Sequence, residues 1–358
     1  MTRWNAARDF VEREMFYLVI VVCDALGLLL FSRAPKAAHE GGPLTWQGLD
    51  SLDRILNRAY RTAVQKKAPV LVDLLALMGG TLLLVGVVGV GLLVWAACRA
   101  ARRRPVMRQC PIHLARWNLW DSVKVLAVYV FLIIAGISSV SLILAGKHLS
   151  RDGTLLATFA VNYLALSGAM LIVWRVVCVE RGQSLRAVGW ALPGGISDLR
   201  RAIGCYAALL PVFLAAAQVT QVIATRFGGK PKAQEIISYF MSDTSATVTV
   251  VMMALACLAA PILEETFFRG LLQPALRNMV GSRVAILLTA LIFAGAHQSL
   301  SVFLPIFVLG LVLGYLYEKT QSVIASAALH SIHNTVTTCF LLIVKFLPVQ
   351  ALADGLSK

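Results

Sequence analysis

Long apolar runs, separated by short polar or basic segments, extend along most of the chain. A helix that crosses a bilayer needs about 20 mostly apolar residues, and about nine runs approach that length. They lie near residues 15–32, 69–97, 122–146, 154–178, 203–225, 245–263, 284–298, 301–317 and 324–346. The seventh and eighth runs are short and nearly continuous, so we expect them to pack as a bent pair. The pattern predicts an all-α, polytopic membrane protein with about nine transmembrane helices.

The composition also indicates a membrane protein. Of the 358 residues, 58% are hydrophobic and 14% are charged, and the mean hydropathy is +0.76. Soluble domains are about 45–50% apolar and about 25% charged. Lysine and arginine outnumber aspartate and glutamate by 33 to 18. In membrane proteins such an excess lies in cytoplasmic loops beside anionic lipid, so the charge does not indicate a nucleic-acid partner.

The basic residues also predict an orientation. The densest basic run is "CRAARRRPVMR" at 98–108, which we expect to stay in the cytoplasm. Alternating spans then place the N-terminus and the segment 264–283 on the cytoplasmic side. An active site at the end of the sixth run would open toward the cytoplasm. We therefore predict a multi-pass protein of the cell membrane, surrounded by the lipid bilayer.

The chain divides into two predicted regions. Residues 1–120 hold two N-terminal spans and a polar loop at 33–68. Residues 121–350 form a compact seven-span block, and its motif-bearing core covers 245–346. The seven cysteines include no CxxC motif, so they are interpreted as small apolar residues.

Three ionisable groups close the sixth apolar run in "APILEETFFRG" at 260–270. On a continuing helix Glu265 and Arg269 share a face and can pair. Glu264 is rotated by about 100° from Glu265 and stays available for another role. Pro261 removes one backbone N–H and bends the helix. The alternative is an ordinary helix end whose charges reach into interfacial water.

Two further polar groups lie near the ends of later runs or inside them. His297 closes "FAGAH" at 293–297, and the alternative interpretation is an interfacial histidine bonded to a carbonyl. His330 and Asn334 share one helical face in "HSIHN", where the alternative is a polar contact that holds helices together. Intramembrane polar groups are candidates for function. Together these residues supply the groups for hydrolysis by water, namely a proton acceptor and donors that polarise a carbonyl.

The stretches "EETFFR", "FAGAH" and "HSIHN" resemble the EExxxR, FxxxH and HxxxN motifs of the CAAX protease and bacteriocin-processing (CPBP) family. This family contains Rce1-type prenyl proteases and Abi proteins, which are intramembrane endopeptidases. The order and spacing of the motifs agree over 264–334. The segment between them, 307–334, is similar to the family's glycine-rich and histidine helices, and Gly310 with Gly314 predicts a close-packing face. The resemblance implies a CPBP-like catalytic bundle.

The resemblance also implies a role for each motif position. Glu264 is expected to be the base that activates water, and His297 to hold that water. His330 and Asn334 are expected to stabilise the oxyanion. These assignments imply catalysis without a cofactor.

A second glutamate and the arginine complete the predicted site. The resemblance gives Glu265 the role of orienting the site and bonding Arg269, which closes the first motif. Zinc is the alternative to metal-independent catalysis, with Glu264, His297 and His330 as its ligands. The chain has no HExxH motif, and asparagine is seldom a zinc ligand, so we favour catalysis by the glutamate.

Three functions of different classes follow from these residues. The favoured one is an endopeptidase that cuts membrane-associated peptides or proteins, similar to the CAAX prenyl proteases. The alternatives are a non-catalytic scaffold or Abi-type immunity protein and a transporter. No inverted repeat is visible, and the polar residues cluster in one third of the chain, which argues against a transporter.

Overall fold

The structure is a computed structural model that describes residues 69–143, 150–190, 195–226 and 245–346, together with Glu14, Tyr17, residues 19–21 and Asp24. Within these residues it is helical and contains no strand, which confirms the predicted all-α class. Most of the first predicted span and the whole polar loop at 33–68 lie outside the described residues.

Eight helices carry the described part of the chain. They are α1 (Pro69–Ala101), α2 (Leu119–Ile143), α3 (Arg151–Trp174), α4 (Ile196–Arg226), α5 (Ala246–Val280), α6 (Ser282–Ala296), α7 (Leu300–Thr320) and α8 (Val323–Phe346). Helix α3 continues into a π-helical turn at Arg175–Glu180.

Six described segments, one in each of α1 to α5 and α7, are long and apolar enough to cross a membrane, so the chain is an integral membrane protein. The count of nine spans stays a prediction, because most of the first run lies outside the described residues. Helix α6 has 15 residues and is shorter than a full span. Helix α8 has 24 residues and is not among the six segments.

Helix α5 is longer than the apolar run that predicted it. The run ends at residue 263, whereas the helix continues to Val280. Two π-helical turns, Leu255–Ala259 and Thr266–Leu272, interrupt it and enclose the short α-helical segment Ala260–Glu265. Pro261 lies in the first turn of that segment, where a missing N–H is tolerated. The two glutamates therefore lie inside a spanning helix, and π-turns of this kind are frequent at functional sites.

Helices α4 to α8 share one apolar core. Its buried side chains come from all five helices and include Leu209, Leu272, Phe293, Leu313 and Leu329. Around this core α2 pairs with α3, α1 packs on α4, and α3 contacts α5.

The predicted close-packing face on α7 is confirmed. A Cβ atom at Gly310 would lie 3.1 Å from Ala290 Cα, and one at Gly314 would lie 3.1 Å from Ile286 Cγ2. Both contacts are with α6, so the two glycines let α6 and α7 approach closely.

The segment that joins α1 to α2 is bonded to the last third of the chain. Trp117 Nε1 donates to the Leu271 carbonyl at 2.8 Å, and Arg277 Nη2 donates to the His113 carbonyl at 2.6 Å. Residues 109–117 therefore cover one end of α5 and α7. The predicted division into 1–120 and 121–350 stays a prediction.

Candidate active site

Arg269 occupies the centre of a buried polar network in α5. Its Nη1 atom lies 2.9 Å from Glu265 Oε1, and both side chains have no exposed surface. The predicted pairing of these two residues is therefore present. Nη2 donates to the Gly310 carbonyl at 3.2 Å, and the guanidinium carbon lies 4.5 Å from the centre of the Phe293 ring. These contacts offset part of the cost of burying the charge, although Arg269 Nε and Glu265 Oε2 are buried without a described hydrogen-bond partner.

His330 joins the same network from α8. Its Nδ1 atom lies 3.0 Å from Glu265 Oε1, and the ring is buried. Because Glu265 is paired with Arg269, we assign it as a carboxylate, which only accepts hydrogen bonds. The proton of His330 is therefore assigned to Nδ1, and Nε2 is the ring nitrogen left for chemistry. This bond connects the first and third motifs directly.

Three side chains of α5, spaced four residues apart, form hydrogen bonds or an ion pair with three positions of α7 that have the same spacing. They form a ladder that runs along the interface between the two helices. Its pairs are Arg269 with the Gly310 carbonyl (3.2 Å), Gln273 with the Gly314 carbonyl (3.0 Å) and Arg277 Nη1 with Glu318 Oε2 (3.3 Å). Since small residues at 310 and 314 leave the α7 backbone accessible, the donors of α5 can reach its carbonyl oxygens.

His297 ends α6 and is oriented by its own helix. Its Nδ1 atom lies 2.8 Å from the Phe293 carbonyl oxygen. A carbonyl only accepts, so we assign the proton to Nδ1 and leave the Nε2 lone pair free. This is the carbonyl contact that the sequence analysis gave as the alternative, and it fixes the orientation of the ring.

Phe293 connects the three motifs through its ring. The ring centre lies 5.0 Å from that of His297 and 5.7 Å from that of His330, and both pairs are edge-to-face. The same ring faces Arg269, as described above, and it is fully buried. The phenylalanine of the second motif thus packs against Arg269, His297 and His330 and is an apolar surface common to all three.

Asn334 lies one turn beyond His330 and contacts α5. Its Nδ2 atom donates to the Ala256 carbonyl at 2.8 Å, inside the first π-turn. The bond is a polar contact between helices, which the sequence left as an alternative role. One of the two amide hydrogens is used in this bond, and the other stays available.

Glu264 is half-buried and lies between the two π-turns of α5. Within the described part of the chain no hydrogen bond is formed by its carboxylate. The segment Ala260–Glu265 that carries it contacts α3, and Tyr163 on α3 and Tyr129 on α2 lie within electrostatic range of its carboxylate. The sequence reasoning missed these tyrosines. A polar signal did exist in "FAVNYLALS", where an asparagine and a tyrosine interrupt an apolar run.

The predicted site residues are thus brought together to different degrees. Glu265, Arg269 and His330 are directly bonded, and His297 joins them through Phe293. No described bond links Glu264 with His297 or His330 with Asn334. Among the described residues, no three His, Cys, Asp or Glu side chains are grouped so that they could hold a metal ion.

Residues 246–336 match the family model described as "Type II CAAX prenyl endopeptidase Rce1-like". The matched segment runs from the start of α5 into α8 and includes all three motifs. This confirms the predicted resemblance to the CPBP family. No curated protein and no solved structure gives a significant match to the chain.

Proposed function

We propose that this chain, whose residues 246–336 are Rce1-like, is an intramembrane endopeptidase in which Glu264 activates the attacking water. The observation that carries the proposal is the buried bond between His330 and Glu265, which is itself paired with Arg269. This bond joins two motifs inside the matched segment. A buried charged network of this kind is costly unless its groups are well paired, so its presence in the membrane interior supports a functional site.

In the proposed reaction, Glu264 removes a proton from water as the water oxygen attacks the carbonyl carbon of a peptide bond. The free Nε2 atom of His297 accepts a hydrogen bond from the same water and orients it. A tetrahedral intermediate forms, and its former carbonyl oxygen carries the negative charge. Glu264 then returns the proton to the leaving nitrogen as the C–N bond breaks.

The oxyanion is stabilised by donors from α8. His330 donates through Nε2 when its ring is doubly protonated, and Glu265 stabilises that cation through Nδ1. Asn334 donates through the amide hydrogen that does not bond Ala256. Such donors act most strongly when they are fixed in advance in a site that excludes water.

The charges of the site balance during this step. In the state with a doubly protonated His330 ring, Glu264 and Glu265 carry two negative charges, and Arg269 and His330 carry two positive ones. When the water proton moves to Glu264, one negative charge moves to the oxyanion and the sum does not change. A site with little water therefore avoids the cost of a net buried charge.

We propose membrane-associated peptides or proteins as substrates, and the matched family description makes prenylated C-terminal CAAX sequences the first class to test. Bacteriocin leaders and the tails of membrane proteins are further classes. The basic run at 98–108 supports an active site that opens toward the cytoplasm of the cell membrane.

The test compares membrane proteomes from cells that express the active chain, Glu264→Gln or the control Glu180→Gln at equal levels. Glu180 is a partly exposed glutamate that pairs with Arg175 and Lys124 at the end of the α3 segment. New protein termini should appear with the active chain and the control, and they should be absent with Glu264→Gln. Termini that persist in Glu264→Gln, or none in any sample, would contradict the proposal.

The same assay tests the metal alternative. Purified enzyme should keep its activity after treatment with a zinc chelator. Loss of activity with the chelator and recovery with added zinc would instead indicate a metalloprotease.

A further inference from the structure

A second group of polar side chains lies on α2 and α3, outside the three motifs. The Tyr129 hydroxyl donates to Asn162 Oδ1 at 2.9 Å, and Tyr163 follows Asn162 in sequence. All three side chains are half-buried. Tyr129 lies well inside the span Leu119–Ile143, and Asn162 lies well inside the span Asp152–Glu180. Polar groups at such a depth need partners or a function.

This group lies on the side of α5 that carries Glu264. Helix α3 packs against α5, where Leu155 shares an apolar cluster with Val248 and Met252. Helix α3 also contacts the segment Ala260–Glu265, which carries Glu264, and the hydroxyl groups of Tyr129 and Tyr163 lie within electrostatic range of its carboxylate. The polar group on α2 and α3 is therefore next to the proposed base.

The chemistry of cleavage inside a membrane explains what such a group could bind. A peptide bond becomes accessible to water only where the substrate backbone leaves its helix. The N–H and C=O groups exposed in this way have no water to bond in lipid, so the enzyme must supply partners for them. A main-chain segment needs at least one donor and one acceptor near the scissile bond.

Asn162 and Tyr163 have these groups available. Tyr129 engages Asn162 Oδ1, and within the described residues the amide hydrogens of Asn162 and the hydroxyl of Tyr163 form no hydrogen bond. The amide can donate to a substrate carbonyl. The hydroxyl can donate or accept.

We infer that Asn162 and Tyr163 form a subsite for the main chain of an unwound substrate segment beside the scissile bond, with Tyr129 holding the Asn162 amide in place. The inference rests on the proposed endopeptidase function and adds its mode of substrate binding. It also predicts that the enzyme recognises an extended backbone next to the cleavage point and not side chains alone.

The test uses a synthetic peptide that copies the strongest Glu264-dependent cleavage sequence, in lipid nanodiscs with the full-length enzyme. Asn162→Leu keeps the side-chain volume and removes the donors, and Tyr163→Phe removes only a hydroxyl. Tyr315→Phe is the matched control, since Tyr315 is a half-buried tyrosine on α7 that lies near Lys319. We expect KM to rise about tenfold for each of the first two variants, the size of one lost hydrogen bond. The control should not change.

A substrate with an ester in place of one flanking amide separates binding from a structural role. The ester carbonyl is a weaker acceptor, so the wild-type enzyme should bind this peptide more weakly than the amide peptide. Asn162→Leu already lacks the donor. At one of the flanking positions, the rise in KM caused by the ester should therefore be at least threefold smaller in this variant than in the wild type. An equal response at every flanking position, or an unchanged KM in both variants, would overturn the inference.

The two proposals fail in different ways. If Glu264→Gln still cleaves, or if no cleavage occurs at all, the endopeptidase function fails and the subsite fails with it. If Glu264→Gln is inactive while Asn162→Leu and Tyr163→Phe match the wild type, only the subsite is refuted. Thermal unfolding of each purified variant identifies a KM change that comes from misfolding. For such a variant, the ester comparison decides whether the residue also binds the substrate main chain.

Discussion

Replacing Arg269 by methionine should destabilise the fold more than any change at an exposed arginine. The substitution keeps an unbranched apolar chain of similar length and removes the guanidinium group. Glu265 then loses a partner at 2.9 Å, and the Gly310 carbonyl loses a donor at 3.2 Å. His330 is the one remaining described partner of a carboxylate that has no exposed surface.

The expected cost follows from this burial. Removing one partner of a buried ion pair costs about 3–5 kcal/mol, because an uncompensated charge stays in the interior. The matched control is Arg175→Met. Arg175 pairs with Glu180 at 3.2 Å, but its side chain is 61% exposed, and exposed pairs contribute about 0–1 kcal/mol. The difference between the two variants should therefore be at least about 2 kcal/mol.

Reversible unfolding by SDS in mixed micelles, followed by tryptophan fluorescence, measures these free energies. The double variant Glu265→Gln with Arg269→Met removes both charges, so it should cost less than the sum of the two single variants by at least about 1 kcal/mol. Additive costs, or an Arg269→Met effect as small as that of Arg175→Met, would refute the buried-pair reasoning.

Three further outcomes are expected. Gly89→Ala should destabilise the fold by about 1–3 kcal/mol, because its Cβ would overlap the Ala207 carbonyl on α4, whereas Gly91→Ala, with no atom within 4 Å, should be neutral in the same SDS titration. Trp117→Phe should cost about 1–3 kcal/mol, since the buried indole donates to a backbone carbonyl of α5; a loss below 0.5 kcal/mol, roughly the size of a surface change, would argue against that bond. Glu264→Gln should leave the unfolding free energy unchanged within about 0.5 kcal/mol, because its carboxylate bonds no described residue, and a larger loss would indicate a structural role.

Local spacing was sufficient to predict several features of the site. The i,i+4 relation of Glu265 and Arg269 predicts a shared helical face, and the two residues are bonded. The spacing of Gly310 and Gly314 predicts a close approach of helices, and α6 makes that approach. Both predictions depend only on the geometry of a single helix, which the sequence pattern determines well.

Contacts between distant segments could not be predicted in this way. His330 bonds Glu265, although the residues are 65 positions apart, and no periodic pattern specifies which face of α8 meets which face of α5. The π-turns of α5 rotate its later residues relative to an ideal helix, so the face of Glu264 does not follow from counting residues. The Tyr129–Asn162 bond was missed because each residue, taken alone, is a single polar interruption of an apolar run.

The ladder between α5 and α7 gives the buried polar residues a role in placing Glu264, the proposed general base. Apolar surfaces in a bilayer allow neighbouring helices to slide, since lipid tails are as apolar as leucine. A shift of α5 by one turn would break the ion pair of Arg277 with Glu318 and leave one end of the ladder without its partner on α7. The ladder thus favours one register, and Glu264, in the turn just before Arg269, is set at a fixed height relative to α7. Buried polar contacts that select one register have this effect in coiled coils as well.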